Sequence, residues 1–288
     1  MTSSADSAKT VSDYWAADRS RRRESWLQHP VAVAFVNRRV SGDPEIGTVT
    51  WFRDKFIPEP LELCLSLGCG HGYMEQVGIA LGIAKKFHAI DVSDGAIAGA
   101  KAAAATAGIG EKIDYSVADL NTVSLPAATY DAIFGISAVH HIFQLEHLFS
   151  ECRKALKPGG LLFLDEYVGP SRFCSAPHVI DLINRLRVLL PEHKRKNLFT
   201  NDGNELLFYE PLPIGHFEKH DPSEAVRSSE IMAALRLYFD VLEIRPYGGA
   251  IQHMLFSGIA GNFDETNAED VALMNVIATF EEALETEG

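Results

Sequence analysis

Leu65-Ser66-Leu67-Gly68-Cys69-Gly70-His71-Gly72-Tyr73 carries an apolar strand, Leu61 to Leu67, into a helix through glycines at three alternate positions. A turn without side chains at those positions lets a ligand lie against bare backbone at the mouth of a parallel sheet, with helix N–H groups pointing at it. A nucleoside-containing cofactor is the ligand that suits it. The spacing argues against a nicotinamide site. The dinucleotide fingerprint G-x-G-x-x-G places its third glycine where Tyr73 stands here, and that glycine is what allows close helix–strand packing. A P-loop is excluded, because no Lys-Ser/Thr follows the glycines.

Acidic residues follow at the ends of further short apolar segments. Phe87-His88-Ala89-Ile90-Asp91 ends 23 residues after Gly68, and a carboxylate there can accept both hydroxyls of a ribose. Ile113 to Val117 reads as a third strand, followed by Ala118-Asp119-Leu120. Tyr130 to Ile136 is a fourth, and Ala155-Leu156-Lys157-Pro158-Gly159-Gly160 is a helix end and turn leading into a fifth, Leu161 to Leu164.

This set resembles motif I and its companions in the class I S-adenosylmethionine-dependent methyltransferases. The resemblance implies S-adenosyl-L-methionine as cofactor. Gly68, Cys69 and Gly70 would hold its methionine end, Asp91 and Val92 the ribose, and Asp119 and Leu120 the adenine, with Asp119 on the amino group. Most relatives carry an acid two positions before the first glycine, where it helps organise the methionine ammonium. This chain has Ser66 there, which weakens that contact or passes it to backbone carbonyls near Gly135 and Ser137. Tyr14 and Trp15 are placed to fold over the cofactor as an N-terminal lid.

Methyl transfer from a sulfonium is an in-line displacement. The protein supplies alignment and, for an O–H or N–H acceptor, a base. Candidates belong at the carboxyl ends of strands four and five. There His140 and His141 follow strand four, and Glu166 and Tyr167 end strand five. Histidine is the usual base near neutral pH. His140 is assigned to the acceptor side, with His141 nearer the cofactor or structural. Glu166 would receive a proton or orient an acceptor hydroxyl, or pair with Arg38, Arg39 or Arg172. No metal site is expected: Asp43, Asp165 and Glu166 lack a histidine partner at ligand spacing. The leading expectation is O-methylation of a small-molecule acceptor, a sugar or secondary metabolite. C-methylation of a prenyl or terpenoid compound is the alternative, with Tyr14, Trp15, Phe143, Glu166 and Tyr167 flanking a carbocation. A cofactor-binding module without turnover is the alternative of another class.

Further segments look like a group of bacterial class I methyltransferases that accompany glycan and natural-product gene sets. They are His29-Pro30, Asn37-Arg38-Arg39, Ser41-Gly42-Asp43-Pro44, Asp165 to Phe173 and Asp221-Pro222-Ser223-Glu224-Ala225, within a match from about Tyr14 to Phe263. That group usually continues Arg-Phe with Gln-Trp, whereas this chain has Cys174-Ser175. If that loop touches the acceptor, the substrate differs from those of the relatives.

The elements that must position these residues read as α/β: a Rossmann-like, doubly wound parallel sheet with right-handed helical crossovers. Residues 1–10 form a disordered tail, 11–60 an N-terminal helical lid and 61–165 the cofactor-binding core. Residues 166–230 are a helical cap inserted over the acceptor pocket. Phe239 to Arg245 and Ile251 to Phe256 read as a hairpin around Pro246-Tyr247-Gly248-Gly249. It would complete seven strands in the order 3-2-1-4-5-7-6, with strand seven antiparallel, over 231–265. An acidic helix spans 266–288.

The net charge of −13 opposes nucleic acid and anionic membrane surfaces, which both demand basic patches. The four cysteines, Cys64, Cys69, Cys152 and Cys174, show no CxxC spacing, which argues against zinc or disulfides and fits a reducing cytoplasm. No stretch approaches the roughly 18 apolar residues of a membrane span. Apolar surface on the N-terminal helices and the insertion suggests a homo-oligomer, a dimer or larger.

Overall fold

A computed structural model describes residues 9–12, 14, 24–200 and 202–287. Its contacts divide the chain into two units. The first comprises residues 1–18, 52–174 and 212–242; the second comprises 19–51, 175–211 and 243–288.

The first unit is built on five strands: β1 (Leu61–Leu67), β2 (Ala84–Asp91), β3 (Ile113–Val117), β4 (Tyr130–Ile136) and β5 (Leu156–Asp165). Their order is β3-β2-β1-β4-β5, and every pairing is parallel. The strand order turns back between β1 and β4, so ligands are expected at the carboxyl ends there. Helices Tyr73–Ala80, Asp94–Thr106 and Leu145–Ala155 are the crossovers that parallel pairing requires.

The local chemistry accounts for these elements. The second half of β1, Cys64 to Leu67, is buried throughout, as expected for a strand covered on both faces. Ser93 accepts the Ala96 N–H at 3.2 Å and so caps Asp94–Thr106. That helix buries Ala96, Ala100 and Ala104, a stripe of small residues at four-residue spacing that lies close on the sheet. Leu145–Ala155 buries Leu145, Leu148, Phe149, Cys152 and Ala155, one face at helical spacing. Under one side of the sheet Phe52 meets Phe163 at 4.6 Å and Phe134 at 5.6 Å between ring centroids. On the other, Leu65, Ile133, Leu148, Phe149 and Ile231 form a continuous core, each side chain worth about 1.5–3 kcal/mol on burial.

The second unit gathers helices Pro30–Ser41, Pro177–Leu189, Gln252–Phe256 and Ala268–Glu287. Arg187 is buried at its centre. Its Nη2 donates to the carbonyls of Met254, Leu255 and Ser257 at 2.7–3.0 Å, the end of a short helix where acceptors are otherwise unpaired. Burial lowers its pKa to about 10.

The hairpin expected at 239–256 is corrected here. Residues 239–249 carry no strand, and Gln252–Phe256 is a helix. The cause is one acid rather than the apolar spacing: Ile251, Gln252, Met254, Leu255 and Phe256 are all buried, a pattern that does not by itself choose helix over strand. Glu281 accepts the N–H groups of Gly249 and Ile251 at 2.9 and 2.8 Å, which satisfies donors at the start of that helix. The turn at Gly248 and Gly249 does form, with φ of +91° and +108°. The sheet therefore has five strands among the described residues, and the order of the first five is as expected.

Residues 166–230 do not behave as one insertion. Residues 166–174 and 212–230 group with the sheet, and 175–211 with the second unit. Lys9 to Ser12 are helical, while residues 1–8 of the expected tail and Trp15 lie outside the described residues. No described helix is long and apolar enough to cross a membrane.

Candidate active site

A cavity of about 860 Å³ opens at the carboxyl ends of the strands in the first unit. Its walls come from the glycine turn (68–71), the end of β2 (Asp91, Val92), residues 119–122, the end of β4 (136–138), residues 141–144, Pro222, Ser223 and Val11. Of the residues picked from sequence for the cofactor, Gly68, Cys69, Gly70, Asp91, Val92, Asp119, Leu120 and Ser137 all lie on this wall. Ser66 is buried behind it. Tyr14 is helical and is not on the wall.

The glycine turn is shaped by close approach and by opening. Gly68 has φ +61°, and a β-carbon there would stand 2.6 Å from the β-carbon of Ala138. Gly70, at φ +51°, would point one into space with nothing within 4 Å, so its missing side chain leaves a cradle. The Gly70 N–H donates to Asp91 Oδ2 and the Ser93 N–H to Asp91 Oδ1, both at 2.8 Å. These bonds orient Asp91 on the wall. Asp119 Oδ1 accepts from the amide N–H and the side chain of Asn121, each at 2.8 Å. Asn121 Oδ1 in turn accepts the Phe143 and Gln144 N–H groups at 2.9 and 3.1 Å. One polar chain thus joins the expected adenine end to the loop after β4. Ser93 Oγ donates to the Ser12 carbonyl at 3.0 Å, which holds the segment carrying Val11 at the rim. A bare turn, an oriented acid beside it and a second acid one strand further along fit an adenosyl cofactor with an amino-acid tail.

The opposite end holds the histidine pair. Glu166, after β5, accepts the N–H groups of Ala138 and Val139 at 2.7 and 2.6 Å and His140 Nδ1 at 2.7 Å. It therefore caps the short turn Val139–His141 and fixes its register. None of the arginines expected as its partners takes that place among the hydrogen bonds it makes here. Tyr167 donates to the Pro170 carbonyl at 3.0 Å and packs on Phe173 with ring centroids 4.8 Å apart. Neither Glu166 nor Tyr167 is on the cavity wall.

His141 lines the cavity and His140, expected on the acceptor side, does not. His141 Nδ1 lies 2.9 Å from Ser223 Oγ, and Ser223 Oγ donates to Asp221 Oδ1 at 2.5 Å. Because the serine proton goes to Asp221, its oxygen accepts at His141. Nδ1 then carries the imidazole proton and the basic lone pair sits on Nε2. The two rings, with centroids 4.2 Å apart, have pKa values shifted in opposite directions. Burial, then the neighbouring His140 and Arg172, hold the His141 pKa well below its ordinary value. Burial also acts to lower His140, but the hydrogen bond and charge of Glu166, with Glu224 and Asp221, outweigh it and raise the pKa. Adjacent groups whose pKa values are driven apart in this way are suited to different roles, the lowered one to that of a base.

Sequence reasoning missed Asp221, Ser223 and Glu224 as site residues, although their segment stood out by resemblance. Arg172 donates to the Pro222 and Glu224 carbonyls, both at 2.7 Å, which is why two segments far apart in the chain meet here. Glu224 Oε1 lies 3.6 Å from His140 Nε2, and burial pushes its carboxyl up to about 7. His140, His141 and Glu224 each offer a ligand atom within 4.8 Å of the others, close enough to meet one cation.

A family model described as "Methyltransferase domain" matches residues 65–164, the stretch from β1 through β5 that carries the glycine turn, Asp91, Asp119 and the histidine pair. This core is a class I S-adenosylmethionine-dependent methyltransferase domain. The chain is 30% identical over 153 residues to the ubiquinone biosynthesis O-methyltransferase of Methylocella silvestris, covering 52% of this chain and 57% of that one. It is also 30% identical over 111 residues to the sterol 24-C-methyltransferase of Eremothecium gossypii, covering 37% and 28%. A crystal structure of an S-adenosylmethionine-dependent methyltransferase from Mesorhizobium loti aligns with 31% identity and a TM-score of 0.33, over 36% of this chain and 46% of that one. The chain spans about half the length of the ubiquinone methyltransferases it matches, 57% and 51%.

Proposed function

We propose that this protein transfers a methyl group from S-adenosylmethionine to a hydroxyl of a small-molecule acceptor, a sugar or secondary metabolite, with His141 as the general base. The observation that carries the reading is an imidazole on the cavity wall, its pKa lowered by burial and its ring oriented through Ser223 to Asp221.

The glycine turn, Asp91 and Asp119 would hold the cofactor along one side of the cavity. When bound, it supplies an electrophilic methyl group on sulfur. The acceptor enters between Phe143, Ile142 and Pro222, which exclude water from one face. His141 Nε2 takes the hydroxyl proton as the oxygen becomes nucleophilic, and the imidazolium that forms keeps its Nδ1–H bond to Ser223, whose own proton rests on Asp221. Glu166 touches no acceptor in this scheme. It holds the turn that presents His141 and keeps His140 protonated beside it.

The relatives differ in the atom they methylate: by name, that of Methylocella silvestris acts at oxygen and that of Eremothecium gossypii at carbon. A base is needed for the first chemistry. The test is a panel of hydroxylated glycosides and polyketides alongside prenyl alkenes, read as mass gain with labelled cofactor. The expected result is methylation of hydroxylated compounds only, lowered about 10²–10⁴-fold in kcat by His141→Gln with S-adenosylhomocysteine affinity retained. Methylation of alkenes alone, or full activity in His141→Gln, would overturn the assignment. Tight cofactor binding without any product would favour a non-catalytic module.

A further inference from the structure

The helix Tyr73–Ala80 hides an acid directly under the glycine turn. Glu75 sits in its first turn and is fully buried. Among the described residues no cation pairs with its carboxylate, and neither oxygen makes a well-formed hydrogen bond: the Ser66 side chain and the Glu75 backbone amide are its nearest donors, and the buried hydroxyl of Tyr115 has no partner among the described residues. An ionised carboxylate withdrawn from water without a cation costs several kcal/mol, so this acid either holds a proton or is met by a positive charge.

The groups around it locate what is missing. The Ser66 side chain and the backbone amide of Glu75 itself favour its charge, and Asp91 opposes it; no cation is among them. Cys69 and Tyr115 both feel the carboxylate as a neighbouring negative charge. The acid therefore stands amid Ser66, Cys69, Asp91 and Tyr115, on the protein side of the turn whose other side is the cavity wall at Gly68, Cys69 and Gly70. Ser66 is the position where the resemblance expects an acid.

We propose that Glu75 provides from the following helix the negative charge that the end of β1 lacks, and that with Ser66 it balances the α-ammonium of the cofactor's methionine part across the glycine turn. The inference rests on the cofactor reading above. Neither Glu75 nor Ser66 is on the wall, so the pair acts through the field across the backbone of the glycine turn, where screening is weak. Glu75 is a positioning residue rather than one that touches the reacting atoms. The arrangement also explains why a serine is tolerated at the end of β1. An acid at both positions would put two carboxylates beside Asp91, and like charges at such distances cannot all ionise.

Two ligands separate this from a packing role. S-Adenosylhomocysteine carries the ammonium; methylthioadenosine has the same nucleoside and thioether sulfur without the amino acid. Calorimetric titration of both into the full-length wild type and Glu75→Gln should show S-adenosylhomocysteine weakened about 10- to 100-fold, the size of a charge-assisted contact, with methylthioadenosine unchanged within twofold. Ser66→Asp placed in the Glu75→Gln background should restore the lost affinity. An equal loss for both ligands would show that Glu75 only supports the turn and would overturn the proposal, as would no loss for either. Wild type that binds neither ligand would sink the cofactor reading itself, and this proposal with it.

Discussion

Glu75 also makes a prediction that needs no ligand. Burial moves its carboxyl from an ordinary 4.5 to about 7. Each pKa unit is about 1.4 kcal/mol, so the native state favours the protonated acid by about 3 kcal/mol relative to the unfolded chain. The sign follows from proton counting. Between the two values the native state binds more protons than the unfolded state, so stability falls as pH rises. The contribution is fully present below pH 4.5 and is gone above about pH 7. Glu75→Gln removes the titration while keeping the shape. Urea denaturation followed by circular dichroism at pH 5 and pH 8, without ligand, should show the wild type losing about 2 to 3 kcal/mol more than the variant across that interval. Glu224, also pushed up to about 7 by burial, slopes the same way in both proteins and cancels in the comparison. Saturating S-adenosylhomocysteine should flatten the wild-type slope, because its ammonium stabilises the charge. Parallel pH profiles for the two proteins would refute the claim that Glu75 is buried without compensation.

Three other outcomes follow from the site. Asp91→Ala should weaken S-adenosylhomocysteine about 100-fold or more by calorimetry, since it removes a bidentate ribose acceptor worth about 3 kcal/mol and frees the Gly70 and Ser93 N–H groups; unchanged affinity would place the ribose elsewhere. Glu166→Gln should lower kcat and lower stability by about 1–2 kcal/mol: its amide oxygen can still accept the Ala138 and Val139 N–H groups, both of which use Oε1, but the carboxylate oxygen that meets His140 Nδ1 is lost; wild-type kcat and Tm would deny Glu166 its hold on His140. Dialysis against a chelator should leave methyl transfer unchanged within about twofold, as base catalysis demands, whereas a loss restored by magnesium or manganese would make the cluster of His140, His141 and Glu224 a metal centre.

The fold was legible where local pattern and global need agree. The β-strands and crossovers of the core repeat one supersecondary unit, and each announces itself through an apolar run, a turn glycine or a cap within a few residues. The 239–256 region was misread because its apolar residues satisfy two periods at once. Phe239, Val241 and the pair Leu242 and Ile244 alternate as a strand would, and Ile251, Met254 and Leu255 were drawn into the same pattern. What decides the matter is Glu281, thirty residues from Ile251 in the chain, whose carboxylate caps a helix that local sequence does not announce. A long-range acceptor overrode a local propensity, and no window of a dozen residues contains that information.

The same distinction divides the site. The cofactor half is made of backbone shape and one acid per strand end, all set by elements that read in order along the chain, so its residues could be named from sequence. The acceptor half is made of pairings between distant segments. Glu166 reaches back 26 residues to His140, and Ser223 reaches 82 residues to His141. Two adjacent histidines look alike in sequence and acquire opposite roles only from these partners. Against the lowering effect of burial the Glu166 carboxylate raises the His140 pKa, while burial first, then His140 and Arg172, lower that of His141. The neutral state of His141 is thus a property of the fold around it. Moving Glu166 would alter which histidine can act as a base without touching either, and for that reason the choice between them had to wait for the structure.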